Sequence, residues 1–193
     1  MSKTPSIKAT GFQSAAEDLQ KLVEAGTLPR AELEARLSPE DLRYIDKQLA
    51  ASTWVQMATY RRIVELLVEL EATGSAESYL HERGLRAGER LHKAGLYRQF
   101  EASTDVWGNR VGKIATTMAA VIYNFTRWTF EMAEDQRTFR IVVDEAEDFP
   151  EVARFTTQGF IEYTSRAVSG GFERVKSERV KPGRIVFTGT RTK

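Results

Sequence analysis

The stretch YLHERGLRAGERLHKAG, residues 79–95, holds the only two histidines of the chain, His81 and His92. On a helix the eleven residues between them make almost three turns, so both rings point nearly the same way but sit about 16 Å apart at about 1.5 Å per residue. They cannot share one ion, and no HExxH-type spacing supplies a carboxylate partner to either. A haem iron needs only one imidazole, but the surrounding pattern reads first as part-exposed histidines beside an apolar stripe. The chain has no cysteine, which excludes disulfides, thiolate nucleophiles and cysteine-ligated zinc or iron–sulfur centres. We expect no metal and no cofactor.

Other chemistry-bearing residues are sparse. The acidic run Asp144-Glu145-Ala146-Glu147-Asp148 lacks the glycine and the loop spacing of an EF-hand and reads as a solvated connection. No carboxylate or histidine is placed by a motif for general acid–base work, so no catalytic residue is assigned. Aromatic side chains are the better binding candidates: Trp54, Tyr60, Trp107, Tyr123, Phe125, Trp128 and Phe130 are expected to line an apolar ligand pocket, with the Tyr and Trp polar edges orienting the ligand.

The charge balance is even, 28 basic against 27 acidic residues, so no global field draws in nucleic acid or an anionic membrane. Arg43, Lys47, Arg61 and Arg62 are interleaved with carboxylates, which argues against a DNA-reading role. Arg174, Lys176, Arg179, Lys181 and Arg184 make the terminal hairpin the more basic surface, suited to an acidic partner. No apolar run reaches the roughly 20 residues a spanning helix needs, and the N-terminus has no apolar targeting core. A cytoplasmic location is expected.

Elements that must position these residues follow from periodicity. Apolar positions spaced by three and four predict helices over Phe12–Val23, with Gly26 as a stop, and over Pro29–Leu37. A third helix is capped by Ser38, with Pro39 at its first position and Leu42, Ile45 and Leu49 as its buried stripe. Further helices are expected over Trp54–Leu70, after Ser75, and over Asp105–Tyr123. Period-two alternation then predicts one hairpin around Trp128, Phe130 and Met132 with Phe139, Ile141 and Val143. A helix opens at Asp148 and Pro150, carries Val152, Phe155, Gly159, Phe160, Tyr163 and Ala167 on one side, and closes at Gly170-Gly171. A last hairpin pairs Phe172–Val180 with Arg184–Thr190 across a type II turn at Lys181-Pro182-Gly183. Gly84 and Gly88, one turn apart, let another backbone come close, at a helix crossing or a dimer seam. The expected fold is α+β: N-terminal helices over about 10–123, packed on an antiparallel sheet from a strand-strand-helix-strand-strand unit over about 126–191, in a single domain.

This order, with STWVQMATYRRIVELL, the Gly84 helix, WGNRVGKIATTMAAVIYNF, PEVARFTTQGFIEYTSRAVSG and the last hairpin, resembles the 4-vinyl reductase-like domains of the haem-NO-binding-like superfamily, and most of all a myxobacterial-type group of unassigned function. The resemblance covers roughly residues 10 to 190. It implies a small-molecule pocket, a homodimer and a signalling or assembly role. Relatives that sense aromatic compounds bind a metal with cysteines near the last hairpin, and SERVKPGRIVFTGTR has none. The haem sensors carry a Tyr-x-Ser-x-Arg motif, whereas Tyr163-Thr164-Ser165-Arg166 has the wrong spacing. The functional expectation is a non-enzymatic ligand-binding or protein-interaction module in signalling. A structural adaptor with a filled pocket and an enzyme for a small apolar substrate are the alternatives.

Overall fold

Ser6–Lys8 forms a short strand, β1, that pairs antiparallel with β2, Trp54–Gln56, in the register Ser6↔Gln56, Ile7↔Val55 and Lys8↔Trp54. Ile7 and Val55 are buried, while Trp54 turns outward. This corrects the expected helix start at Trp54: helix α4 begins at Met57 and runs to Glu71. Three residues are too few to display a period of two, so the strand was hidden inside the apolar pattern of the helix that follows it. The structure is a computed structural model and describes residues 4–95, 107–135, 137–169 and 174–191.

Contacts divide the chain into two units, Met1–Thr73 with Ile122–Phe125, and Gly74–Val121 with Thr126–Lys193. In the first, α1 (Ala9–Glu24) buries Phe12, Ala15, Ala16 and Leu19, as its spacing predicts, and the chain turns at Gly26 with φ of 71°. Helices α2 (Arg30–Arg36) and α3 (Pro39–Ile45) follow. Ser38 caps α3 through a reciprocal pair of bonds: its hydroxyl accepts from the Asp41 N–H, and the Asp41 carboxylate accepts from the Ser38 N–H, each at 3.2 Å. Helix α3 stops at Ile45, so Leu49 lies beyond the stripe expected to include it. Phe12, Leu19, Leu33, Ile45, Ile63 and Leu67 form the fully buried core of this unit.

The second unit holds α5 (Ala76–Lys93), α6 from Trp107 to its exit at Ile122, β3 (Arg127–Met132), β4 (Thr138–Asp144), α7 (Glu151–Ser169), β5 (Lys176–Lys181) and β6 (Arg184–Thr190). Ser75 caps α5 by accepting from the Ser78 N–H at 3.1 Å, as its position predicts. The four strands form one antiparallel sheet in the order β3-β4-β6-β5. Register puts Trp128, Phe130, Met132, Phe139, Ile141, Val143, Ile185 and Phe187 on one face. Trp128 stacks on Phe187 and Phe130 on Phe139, at 6.0 and 6.1 Å between ring centroids. The α+β class and the strand-strand-helix-strand-strand order therefore stand.

Two details of the last hairpin differ from expectation. Strand β5 is described from Lys176, and Gly170, Gly171 and Phe172 lie outside the described residues. The turn is not type II, because Gly183 does not enter the left-handed region that such a turn requires. Pro182 and Gly183 make the reversal between the paired Lys181 and Arg184, and a register shift lies just before it, between Arg179 and Lys181. A Cβ on Gly183 would meet only the end of the exposed Glu147 side chain, which can swing aside.

Candidate functional site

Helix α7 carries two stripes. The expected one, with Val152, Gly159 and Tyr163, includes the glycine that lets α5 approach. A Cβ on Gly84 would collide with the Thr156 carbonyl oxygen and lie 2.9 Å from Gly159 Cα, and one on Gly159 would collide with the His81 carbonyl oxygen. Gly88 lies under the Tyr163 ring, where a Cβ would sit 2.8 Å from Cδ1. Both glycines of α5 thus face α7 of the same chain.

That close approach carries His81 to Glu162. His81 is 8% exposed and Glu162 2%. Glu162 Oε2 accepts from His81 Nε2 at 3.1 Å and from the Val175 N–H at 2.9 Å, while Oε1 pairs with Arg166 at 2.6 Å. Burial pushes the Glu162 carboxyl up, but the hydrogen bond and charge of His81, the Val175 amide and Arg166 together hold it below the usual glutamate value. An ionised carboxylate only accepts, so His81 donates through Nε2 whether its ring is neutral or charged. His81 is therefore not the part-exposed histidine the sequence suggests. The two histidines do face one way, as eleven residues on a helix require: His92 Nδ1 lies 3.1 Å from the Tyr163 hydroxyl, with the rings edge to face at 6.0 Å.

The second stripe of α7 is polar and was missed. Glu151, Arg154, Gln158 and Glu162 recur at three, four and four, and each meets β5 or the residue leading into it. Arg179 Nε donates to Glu151 at 2.8 Å. Arg154 donates to the Ser177 carbonyl and hydroxyl at 2.9 and 2.7 Å, and the Ser177 hydroxyl donates to Gln158 at 2.6 Å. Glu162 takes Val175. Positions 175, 177 and 179 alternate along one face of a strand, so a helical spacing of polar residues opposite an alternating strand was the available signal. Arg179 also donates to the carbonyls of Ala146, Phe149 and Pro182, and Arg184 pairs with Asp144 at 2.6 Å. Those two cations are therefore neutralised within the chain, which removes them from the basic docking surface expected of the hairpin.

The aromatic candidates are distributed between the units. Trp54, Tyr60, Tyr123 and Phe125 belong to the first. Trp54 is 40% exposed with the Lys8 ammonium 4.8 Å from its ring, Tyr60 is buried, and Tyr123 meets Phe125 edge to face at 6.2 Å. Trp128 and Phe130 belong to the second, where Trp128 Nε1 donates to Thr126 at 2.8 Å and the Phe130 ring covers Gly112. Trp107 opens α6, and its side chain lies outside the described part.

The first unit contains a cleft of about 240 Å³ between one face of α1 (Gln13, Ala16, Glu17, Gln20) and the end of α3 with its following loop (Tyr44 to Leu49). Its wall is mainly polar, unlike the apolar cavity expected for the aromatic set. Among the described residues, no group of three or more His, Asp or Glu is arranged to hold a metal ion, and no helix is long and apolar enough to cross a membrane.

No family model and no curated protein matches the sequence. Solved structures do resemble it. A Cs H-NOX mutant carrying an unnatural amino acid matches at 12% identity and a TM-score of 0.62, over 97% of each chain. A mutant H-NOX of T. tengcongensis matches at 12% identity and 0.59, over 97% of this chain and 98% of that one. An oxygen-binding H-NOX domain related to soluble guanylate cyclases, solved as its oxygen complex, matches at 12% identity and 0.59, over 97% and 96%. At this identity the likeness establishes the fold alone: the chain is folded as these H-NOX domains are.

Proposed function

We propose that this chain is a ligand-binding module in signalling, of the 4-vinyl reductase-like kind, that takes a small apolar molecule and acts as a homodimer. The observation that carries the reading is the fold: H-NOX domains match over nearly their whole length, and one of them is described as oxygen-binding. Within each unit the aromatic side chains are the ligand contacts we infer, Trp54, Tyr60, Tyr123 and Phe125 in the first and Trp128 and Phe130 in the second, and the response is a shift between two packings.

Another of these matching structures concerns heme redox potential and porphyrin distortion, so the residues here must be asked whether they suit a histidine-ligated haem. They do not. His81 spends Nε2 on a buried carboxylate, beside backbones of α5 and α7 already in contact at Gly84 and Gly159. His92 is packed edge-on against Tyr163 with Nδ1 on its hydroxyl, which fixes the ring against α7 without itself excluding a bond through Nε2. Ser165 donates to the Ile161 carbonyl, and Arg166 is paired with Glu162. We therefore propose a ligand held by apolar contact and hydrogen bonds, without iron.

A second reading, a protein-interaction role, is favoured by Trp54, a large side chain 40% exposed on a two-stranded sheet. Native mass spectrometry of the chain purified from its own source tests the first reading. A dimer mass with a copurified small molecule is expected; ligand-free monomer that gives no thermal shift with apolar compounds would overturn it.

A further inference from the structure

We propose that β5 is a releasable edge strand, docked on α7 by the polar seam centred on Glu162, and that it opens separately from the rest of its sheet and uncovers the edge of β6. Strand β5 pairs with β6 on one side only, at the end of the order β3-β4-β6-β5. Of the three positions it and its lead-in present to α7, only Val175 is a buried apolar residue; the others are Ser177 and Arg179. Attachment therefore depends on hydrogen bonds and ion pairs, each worth little net, in place of the apolar burial that anchors β4 and β6 through Phe139, Ile141, Val143, Ile185 and Phe187. Elements with few buried apolar contacts open at lower free energy than the core.

Glu162 is the critical member because it joins three segments. From α5 it faces His81, from α7 Arg166, and from the segment entering β5 the Val175 amide. Farther along the seam the charged groups are Arg154, Glu151 and Arg179. Neutralising Glu162 leaves the His81 and Val175 donors facing a weaker acceptor and Arg166 without its counter-charge. The β3–β4 and β4–β6 pairings are backbone ladders between apolar inner positions and do not pass through this carboxylate. Release exposes a row of unpaired β6 groups, the kind of edge to which another strand adds. This inference does not depend on the ligand proposed above.

Amide hydrogen exchange on the full chain tests it, with rates corrected for intrinsic pH dependence. In Glu162→Gln at pH 7, Val175 and the β5 amides should exchange at least tenfold faster than in the wild type, with Ile141 and Val143 of β4 unchanged. In the wild type the same segment should lose protection first as pH falls below the ordinary glutamate value. Equal loss across β4 and β5, or wild-type protection of β5 in the variant, overturns the proposal. If Glu162→Gln does not fold, Glu151→Gln, on a half-exposed residue, and the wild-type pH series decide it by the same two outcomes.

Discussion

Gly84 and Gly159 meet where α5 crosses α7: a Cβ on Gly84 would run into the Thr156 carbonyl and the Gly159 Cα, and one on Gly159 into the His81 carbonyl. The crossing sets the position of every polar contact between the two helices, including His81 with Glu162.

Gly84→Ala and Gly159→Ala should each destabilise the chain by about 3 kcal/mol, since the atoms met are backbone and cannot swing aside. Gly74→Ala is the comparison, because nothing lies within 4 Å of a Cβ there. Urea denaturation followed by circular dichroism measures all three. Equal midpoints would mean that the helices do not cross this closely.

Asp41 provides an acid-sensitive tie between α3 and α4. It is fully buried; burial pushes its carboxyl up, but the Arg62 guanidinium, Thr59 and Ser38 outweigh this and hold it at about 2. A depressed folded value means that the stability it contributes is present above its ordinary value and is lost as pH falls through about 2. Asp41→Asn should cost about 2 kcal/mol at pH 7, and the difference from wild type should shrink below about pH 4. Denaturant midpoints at pH 7, 4 and 2.5 check the sign; a penalty that grows on acidification would refute it.

Haemin added in equal amount should give no histidine-ligated Soret spectrum. His81→Ala and His92→Ala should leave the spectrum of the mixture as it is in the wild type. A sharp shift at one-to-one stoichiometry, abolished by either substitution, would establish iron coordination and end the non-haem reading.

The tryptophans divide by environment. Trp54→Ala should change stability by no more than about 1 kcal/mol, the scale of an exposed cation–π contact with Lys8. Trp128→Ala removes a ring packed on both Phe149 and Phe187 and should cost about 3 kcal/mol. Thermal melts of the two variants should separate by several degrees, and coincident melts would contradict the packing of Trp128 described above.

Local rules acting within a few residues were legible in the sequence. The Ser38 and Ser75 caps, the apolar face of α1, the order of the two hairpins about α7 and the permissive glycines of α5 all depend on neighbours within a turn or two. The absence of cysteine closed off thiolate chemistry outright. What could not be read were pairings across long stretches of chain. Strand β2 exists because residues 54–56 find 6–8, and three residues carry no periodic signal of their own. Glu162 reads as one more polar residue on a helix until the Gly84–Gly159 contact brings His81 to it and the chain returns with Val175. The partners of Arg179 and Arg184 took two of the five cations of an expected basic surface into ion pairs within the chain. In each case residue type set what bond was available, and only the tertiary packing determined which distant group would complete it.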